Sequence, residues 1–327
     1  MKSLDASLLR VLRASVFHIP PTELAAQIGS THAGVVAQIG ELRAAGFDID
    51  ERPGLGYRLI AVPDRLIAAD LQSRLGNCAL IREILVFAET DSTNDRAFAL
   101  GDSGVPGGLV IFAERQNAGR GRFGRRWESA LHLGLWFSLL LRPTFSQEHW
   151  TRLTTWAAVS IASAIERTIG VRAEIKWPND IFVKGRKVAG VLIETGMDDA
   201  QGSFAVVGIG VNANHTNEDF PAELSAIATS LRAATGRVIE RPGLAAAILR
   251  ELDRRFIDMD RRFDELVAEA TRRSVLLGHW VRVRAGDSVV EGVAESLDAS
   301  GQLLLRTGVG EVRALNAGEV TLAESGT

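Results

Sequence analysis

Hydrophobic and polar positions follow three patterns along the chain, and each pattern predicts a different fold. In the N-terminal part, apolar side chains recur at the spacing of amphipathic helices. These helical runs occupy residues 6–12, 22–29 and 31–46. The next segment, FDIDERPGLGYRLI, alternates like two strands around Pro53-Gly54. Three helices followed by a hairpin predict a winged helix-turn-helix over residues 1–63, with Ser30 as the cap of its third helix.

Residues 64–273 alternate between strand and helix patterns. The apolar strand patterns are ILVFAE, GLVIFAERQ, LGLWFSLLL, AEIKWPNDIFV, RKVAGVLIETG and FAVVGIGVNAN. Long helical patterns cover residues 150–169 and 242–263. Gaps as short as VKGRK, residues 183–187, are typical of hairpins. We therefore expect an α+β domain with a mixed, largely antiparallel sheet.

Residues 274–327 contain short alternating strands separated by Gly-containing turns. This pattern is typical of a small β-barrel of about five strands, here expected to be SH3-like. The pattern alone leaves two roles open, a passive C-terminal cap and a functional part of the site.

Composition narrows the class of protein. The chain has 327 residues, is 46% hydrophobic and carries a net charge of -3, so it is expected to fold stably without a general attraction to nucleic acid or anionic membranes. Cys78 is its single cysteine, and the histidines show no zinc spacing. The longest apolar stretch, residues 133–141, is too short to span a bilayer, and the N-terminus lacks a signal-peptide pattern. We expect a cytoplasmic protein without a membrane partner, and we assign no metal ligand.

The charge of the predicted winged helix leaves its role open. Residues 1–60 contain six Lys/Arg and six Asp/Glu, although phosphate contacts normally dominate DNA affinity. The third helix offers the polar side chains of Thr31, His32 and Gln38 instead of basic ones. DNA binding and a purely structural role are both compatible with this pattern.

The segment GRGRFG, residues 119–124, has the spacing of a dinucleotide-binding turn. A turn and a strand follow it instead of a helix, and no acid stands at the end of that strand, so a Rossmann fold is excluded. Its unusual property is charge, because Arg120, Arg122, Arg125 and Arg126 stand among glycines. Such a segment is costly to order alone, so we expect an anion to order it. A solvated surface loop is the alternative.

Four further segments carry polar groups at positions where strands end or turn. KWPND, residues 176–180, contains a rigid turn at Trp177-Pro178. VVGIGVNAN supplies Gly208, Gly210 and the amide of Asn212. ETDSTNDRA gives three polar side chains at a strand-to-helix junction, where a plain helix cap is the alternative. In GRKVAGVLIE, strict alternation would place Lys187 on the same face as Ala189.

Together these blocks resemble one family. TDSTN, ERQNAGRGRFGRRW, KWPND, RKVAGVLIE and GIGVN, in this order, are similar to the motifs of biotin protein ligases. With a winged helix in front and a small barrel behind, the chain resembles the repressor-type, three-domain biotin–[acetyl-CoA-carboxylase] ligases. The resemblance implies a catalytic domain of the class II synthetase and biotin ligase type over residues 64–273, and a barrel over residues 274–327.

The resemblance also implies a reaction. Such ligases activate biotin with ATP and Mg²⁺ to biotinyl-5'-AMP, and then pass biotin to a lysine of a biotin carboxyl carrier protein. No general base is needed for an ionised carboxylate, so catalysis would depend on positioning and charge. The implied catalytic residues are Lys187, Arg120 and Arg122. The implied biotin-binding residues are Ser92, Thr93, Asn94, Gln116, Gly119, Arg120, Gly121, Arg122, Lys187 and Gly190. The implied ATP-binding residues are Arg122, Trp127, Lys176, Asn179, Asp180, Lys187 and Asn212.

Other functions remain open on the sequence. One is a biotin-sensing transcription factor without ligase activity, and another is a lipoate ligase of related fold. Lys187 beside an intact arginine loop, residues 115–127, argues against a mere sensor, because sensing needs no cation at the reacting atoms. Repressor-type relatives also form homodimers on operator DNA, which would be the partners implied here.

Overall fold

The computed structural model describes residues 6–199 and 201–323. The chain divides into two compact units, one formed by residues up to Asn77 together with Glu240–Ala246, and the other by Cys78–Ile239 with the residues that follow Ala246. In the part of the chain that is described, no helix has the length and apolar character needed to cross a membrane.

The first unit contains the three helices and the hairpin in the predicted order. Its elements are α1 (Ala6–Ala14), α2 (Pro21–Ile28), α3 (His32–Ala44), β1 (Asp48–Arg52), β2 (Gly56–Ala61) and α4 (Ala68–Leu75). Its core is built from the apolar faces of the helices and the hairpin, including Leu8, Leu12, Leu24, Ile39 and Tyr57.

The cap of α3 differs from the expectation. Thr31, not Ser30, is the N-cap residue, and its hydroxyl accepts a hydrogen bond from the backbone N–H of Gly34 at 3.0 Å. The reason is that α2 ends at Ile28 and is followed by Gly29 in the left-handed conformation (φ +65°). Ser30 therefore belongs to the turn between α2 and α3.

The second unit is built on a seven-stranded mixed sheet. Its strands are β3 (Glu83–Thr90), β4 (Leu109–Gln116), β5 (Gly134–Leu141), β6 (Glu174–Lys176), β7 (Asp180–Val183), β8 (Arg186–Asp198) and β9 (Gly202–Asn212). They lie in the order β3-β4-β5-β9-β8-β7-β6, and β3 and β4 pair in parallel while the other neighbours are antiparallel. The predicted mixed, largely antiparallel sheet is confirmed.

Two helices connect strands of this sheet, and four more follow its last strand in the chain. They are α5 (Thr93–Asp102), α6 (Arg152–Ile169), α7 (Ala222–Ser225), α8 (Leu231–Thr235), α9 (Arg241–Phe256) and α10 (Phe263–Arg273). Most residues of α6 are buried, as its long apolar pattern predicts. The two-residue turn Lys184-Gly185, with φ of +50° and +75°, joins β7 to β8 as the expected hairpin.

The chain ends in a five-stranded antiparallel sheet. Its strands are β10 (Trp280–Ala285), β11 (Ser288–Leu297), β12 (Leu303–Thr307), β13 (Val312–Leu315) and β14 (Glu319–Leu322), in the order β13-β12-β11-β10-β14. The core of this sheet also contains Trp177 from the turn between β6 and β7, and the Trp177 indole N–H donates to the carbonyl of Gly301 at 3.0 Å. The KWPND turn is thus held by the C-terminal sheet.

Candidate active site

A cavity of about 540 Å³ opens on the second unit and gathers residues from almost every element of its central sheet. Its walls come from the first turn of α5, the arginine loop, the β6–β7 turn, strands β8 and β9, the segment 215–228 and strand β14. Of the residues predicted for the site, those that line the cavity are Ser92, Thr93, Asn94, Gln116, Arg120, Gly121, Arg122, Trp127, Lys176, Asn179, Asp180, Lys187, Gly190 and Asn212. Gly119 is the predicted residue that does not.

One part of the cavity wall, here called the neutral end, belongs to a network of neutral hydrogen-bonding groups around Thr93, Asn94 and Gln116. Gln116 Oε1 accepts from the backbone N–H and the hydroxyl of Thr93, at 2.8 and 3.1 Å. The amide N–H₂ of Gln116 donates to Ser129 Oγ at 2.9 Å. From the neighbouring strand, the fully buried Ser138 hydroxyl lies 2.8 Å from Thr93 Oγ1 and 2.6 Å from Asn94 Oδ1. These bonds fix the orientation of each side chain before any ligand arrives.

Glycines in β9 and β8 are required by close protein contacts. A Cβ at Gly208 would lie 2.1 Å from Asn94 Oδ1, and a Cβ at Gly210 would lie 2.5 Å from the Trp127 indole. A Cβ at Gly190 would meet Trp127 at 3.1 Å and the Lys187 side chain at 3.2 Å. Because these three glycines have no side chain, they leave room for Asn94, Trp127 and Lys187.

The arginine loop is held by protein groups. Arg120 Nη2 donates to carboxylates of Asp95 and Glu194, the latter at 2.8 Å, and Arg122 Nη1 donates to Asn179 Oδ1 at 2.7 Å. Burial lowers the pKa of Arg122, an effect that Asp180 partly offsets. Carboxylates of the protein thus supply counter-charge to this segment, and its ordering by an external anion stays a prediction.

Two more contacts hold this loop, one to β14 and one within the loop itself. Arg125 forms an ion pair with Glu319 of β14, and the side chain of Glu319 is 37% exposed. Trp127 N–H donates to Gly119 O at 2.9 Å, and a Cβ at Gly119 would lie 2.6 Å from Trp127 O. Gly119 therefore serves the fold of the loop, which explains its position outside the cavity wall.

The Lys187 ammonium lies inside the cavity. Its Nζ is 2.6 Å from Asp180 Oδ1 and 5.2 Å from the centre of the Trp127 ring, and its side chain is 29% exposed. The register between β7 and β8 shifts between Ile181 and Phe182, so that Phe182 pairs with Lys187 while Ile181 pairs with Ala189. This β-bulge breaks the alternation, and Lys187 shares a face with Gly190. The expectation that Lys187 shares a face with Ala189 was wrong for that reason.

Further cationic and amide groups complete the wall. Burial lowers the pKa of Lys176, whose Nζ is 5.7 Å from the centre of the Phe182 ring. The Asn179 amide donates to the carbonyl of Val191 at 2.9 Å, and the Asn212 amide donates to the carbonyl of Thr229 at 3.1 Å. A cavity rich in fixed cations and oriented amides is suited to anionic groups.

Sequence reasoning missed several residues of this region. Ser138 was the lone polar residue in the apolar segment GLWFSLLL, which was a usable signal. Glu194 and Glu319 gave no signal, because their role depends on which loop residue each one faces. The segment 215–228 was also missed, although it contributes His215, Phe220 and Leu224 to the wall. Burial lowers the pKa of His215 to about 4, so its imidazole is neutral near pH 7.

Among the described residues, no group of three or more His, Cys, Asp or Glu side chains is placed to hold a metal ion. The carboxylates nearest the cations are already paired, Asp180 with Lys187 and Glu319 with Arg125. This donor set offers a magnesium ion few carboxylates that are not already paired with a cation. It fits a magnesium ion that arrives on phosphates, since Mg²⁺ commonly binds through substrate phosphates with few protein ligands.

Comparison with known proteins identifies the family. Residues 86–212 match the Biotin/lipoate A/B protein ligase family, and residues 276–322 match the Biotin protein ligase C terminal domain. The bifunctional ligase/repressor BirA of Bacillus spizizenii is 34% identical over 281 residues, which is 86% of each chain. The chain belongs to the biotin protein ligase family. The biotin–[acetyl-CoA-carboxylase] ligase of Mycobacterium tuberculosis is 33% identical over 245 residues, covering 73% of this chain and 88% of that one.

A solved structure of the same family has a similar fold. The biotin protein ligase of Aquifex aeolicus in complex with biotin and ATP matches with a TM-score of 0.66 and 29% identity, covering 75% of this chain and all of that chain. The fold and the family agree with the resemblance seen in the five sequence blocks.

Proposed function

We propose that this protein activates biotin with MgATP to biotinyl-5'-AMP and pyrophosphate, and transfers the biotinyl group to a lysine of a biotin carboxyl carrier protein. The observation that carries the proposal is the convergence of Arg120, Arg122, Lys176 and Lys187 on one cavity whose wall also contains the neutral hydrogen-bonding groups. A carboxylate and a triphosphate repel each other, so their reaction needs fixed positive charge more than a base. Relatives of this chain are named as ligases for acetyl-CoA carboxylase.

The neutral end would bind the biotin head group. Ser92, Thr93, Asn94 and Gln116 offer hydroxyl and amide groups. Gln116 bonds Thr93, Ser92 accepts from the backbone N–H of Asp95, and Asn94 bonds Ser138, so the protein itself orients these groups. A ureido ring presents both N–H donors and a carbonyl acceptor, which such groups can match. Gly121 and Gly190 would leave space for the rest of the molecule.

The cationic side chains of the wall would bind the nucleotide and the reacting groups. Lys187 would place its ammonium at the carboxylate and α-phosphate, with Asp180 orienting it, and Arg120 and Arg122 would hold the two anions together. Trp127 would stack on adenine, and Lys176, Asn179 and Asn212 would contact the nucleotide. Magnesium supplies charge neutralisation on the phosphates, as part of the substrate. The arginine loop would exclude water from the acyl-adenylate.

One assay tests the enzyme. The full chain is incubated with labelled biotin, ATP, magnesium and an apo biotin carboxyl carrier domain, and we expect label on one carrier lysine and release of AMP. Tight biotin binding without transfer would support the biotin-sensing factor instead. Transfer of lipoate in preference to biotin would identify a lipoate ligase.

A second function concerns the predicted winged helix-turn-helix unit, residues 1–63, acting beside the catalytic region 64–273 and the barrel 274–327. The three helices and hairpin follow the order of a winged helix-turn-helix, and similar proteins are named bifunctional ligase/repressor. We propose that this unit binds operator DNA in a homodimer promoted by the adenylate. A gel shift repeated at several salt concentrations tests it, because phosphate contacts make affinity fall with salt. Absence of any adenylate-dependent shift would leave the unit with a structural role.

A further inference from the structure

Glu194 of β8 lies at the contact between the neutral end of the cavity and the arginine loop. A single oxygen, Oε2, accepts from Asn94 Nδ2 at 2.8 Å and from Arg120 Nη2 at 2.8 Å. Its side chain is 26% exposed, compared with 54% for Asp95, the other carboxylate that Arg120 contacts. One carboxylate therefore joins a group expected to contact the substrate to the loop expected to cover it.

The Asn94 side chain has little freedom to use another partner. Asn94 is 5% exposed, its Oδ1 accepts from Ser138 at 2.6 Å, and it fills the space left by Gly208. With Oδ1 engaged by a hydroxyl, the N–H₂ group must point toward Glu194. Loss of that acceptor would leave a buried donor without a partner.

The Arg120 guanidinium is fixed by one of its two terminal nitrogens. Nη2 contacts both Asp95 and Glu194, while Nε and Nη1 make no hydrogen bond to any residue within 6–199 or 201–323. Because a guanidinium is a planar fork of five donors, fixing Nη2 sets the direction of the others. Those donors stay available for an anion in the cavity that Arg120 lines.

We propose that Glu194 is a positioning residue that couples the biotin end of the site to closure of the arginine loop. This inference rests on the proposed ligase function. Glu194 sets the Asn94 amide for the head group and anchors Arg120, so that the same carboxylate supports substrate binding and retention of the adenylate. Glu194 touches neither substrate in this scheme.

Three variants separate the two contacts. Glu194→Gln keeps a carbonyl acceptor for Asn94 but removes the charge that anchors Arg120. Glu194→Ala removes both contacts. Asp95→Asn removes the more exposed charge next to Arg120 and leaves Glu194 in place, so it is the matched control.

The readouts are the KM for biotin at saturating MgATP, the rate at which the purified enzyme loses bound biotinyl-5'-AMP in the absence of carrier, and the melting temperature. For Glu194→Gln we expect a KM within about twofold of wild type and adenylate loss about three- to fivefold faster, the size expected for a half-exposed ion pair. For Glu194→Ala we expect a KM at least about tenfold higher and fast adenylate loss. Asp95→Asn should lose adenylate more slowly than Glu194→Gln.

Several results would overturn the proposal. Wild-type adenylate retention in Glu194→Gln would show that the contact with Arg120 does not hold the loop closed. A wild-type KM in Glu194→Ala would show that the contact with Asn94 does not support biotin binding. A lower melting temperature with unchanged KM and retention would make Glu194 merely structural. If Glu194→Ala fails to fold, Glu194→Gln against Asp95→Asn still decides the loop contact. A wild-type protein that forms no adenylate would overturn the ligase function itself, and this inference with it.

Discussion

At the scale of single residues, Lys187 has the environment that its proposed chemistry requires. It is partly buried, paired with Asp180 at 2.6 Å and placed beside Trp127. For Lys187→Ala we expect both adenylate formation and biotin transfer to fall about 100- to 1,000-fold, because loss of one contact to the developing charge commonly costs about 3 to 4 kcal/mol. Pre-steady-state measurement of each step checks this.

The control for this change is Lys184→Ala, at the β7–β8 turn. The Lys184 ammonium donates to the carbonyl of Ala234 at 2.7 Å, and Lys184 is not part of the cavity wall. We expect its turnover to stay near wild type. A Lys187→Ala protein that melts normally and turns over at the wild-type rate would exclude Lys187 from the mechanism.

The two glycines of the GRGR segment are expected to differ. A Cβ at Gly119 would lie 2.6 Å from the backbone oxygen of Trp127, whereas the nearest atom to a Cβ at Gly121 is at an ordinary 3.5 Å. Gly119→Ala should therefore displace the loop and lower kcat/KM by at least about tenfold, the effect of a small misplacement at a reacting site. Gly121→Ala should have the smaller effect. Trp127 fluorescence reports the displacement, and equal effects of both changes would contradict this assignment.

The sequence predicted the composition of the cavity wall better than its geometry. Glycine, arginine and amide blocks are local signals, and those residues do meet. The face of Lys187 could not be predicted, because a β-bulge is set by pairing with β7 and not by the strand's own residues. The role of Glu194 could not be predicted for a similar reason, since its partners Asn94 and Arg120 are far away in the chain.

At the scale of elements, helices α6, α9 and α10 are joined by ion pairs between partly buried groups. Glu269 of α10 accepts from Ser163 of α6 and from Arg255 of α9, each at 2.8 Å. Glu251 of α9 pairs with Arg255 at 3.1 Å. Burial alone would raise the pKa of both glutamates, but these hydrogen bonds and charges outweigh it and lower the pKa of each below its usual 4.5.

This cluster predicts the acid side of the stability curve. A carboxylate with a lowered pKa stabilises the folded state above about pH 4.5, and the stabilisation is lost as pH falls through the folded-state pKa. We expect the melting temperature to fall from about pH 5 to about pH 3. Glu269→Gln should melt at a lower temperature at pH 7, because its free energy of unfolding falls by about 1 to 3 kcal/mol. Its melting temperature should also fall less on acidification than that of the wild type. An unchanged slope in this variant would assign the acid sensitivity to other groups.

Element prediction succeeded where the determinants were local. The β7–β8 hairpin follows from Lys184-Gly185 in the left-handed region, and α6 from a long apolar pattern. The cap of α3 was misplaced by one residue, because two neighbouring hydroxyl residues, Ser30 and Thr31, compete and the end of α2 decides between them. Helix ends are set by such small differences.

At the scale of the whole molecule, the C-terminal sheet contributes to the cavity. The sequence could not decide between a passive cap and a functional part, because its strands show only a period of two. In the structure, Gly318–Thr321 line the cavity, and Trp177 of KWPND lies in the core of this sheet. The contacts join segments more than 100 residues apart, which no local pattern reports.

The ion pair between Arg125 and Glu319 tests this contribution. Both side chains are well exposed, at 63% and 37%, so the pair is worth at most about 1 kcal/mol. For Glu319→Gln we expect a KM for ATP up to about fivefold higher, since the loop loses its tether to β14, and an unchanged KM for biotin. Glu311→Gln removes a comparable exposed pair, formed with Arg313 at the start of β13, and should leave both constants unchanged. Equal shifts in the two variants would mean that net charge, not the tether, changes ATP binding.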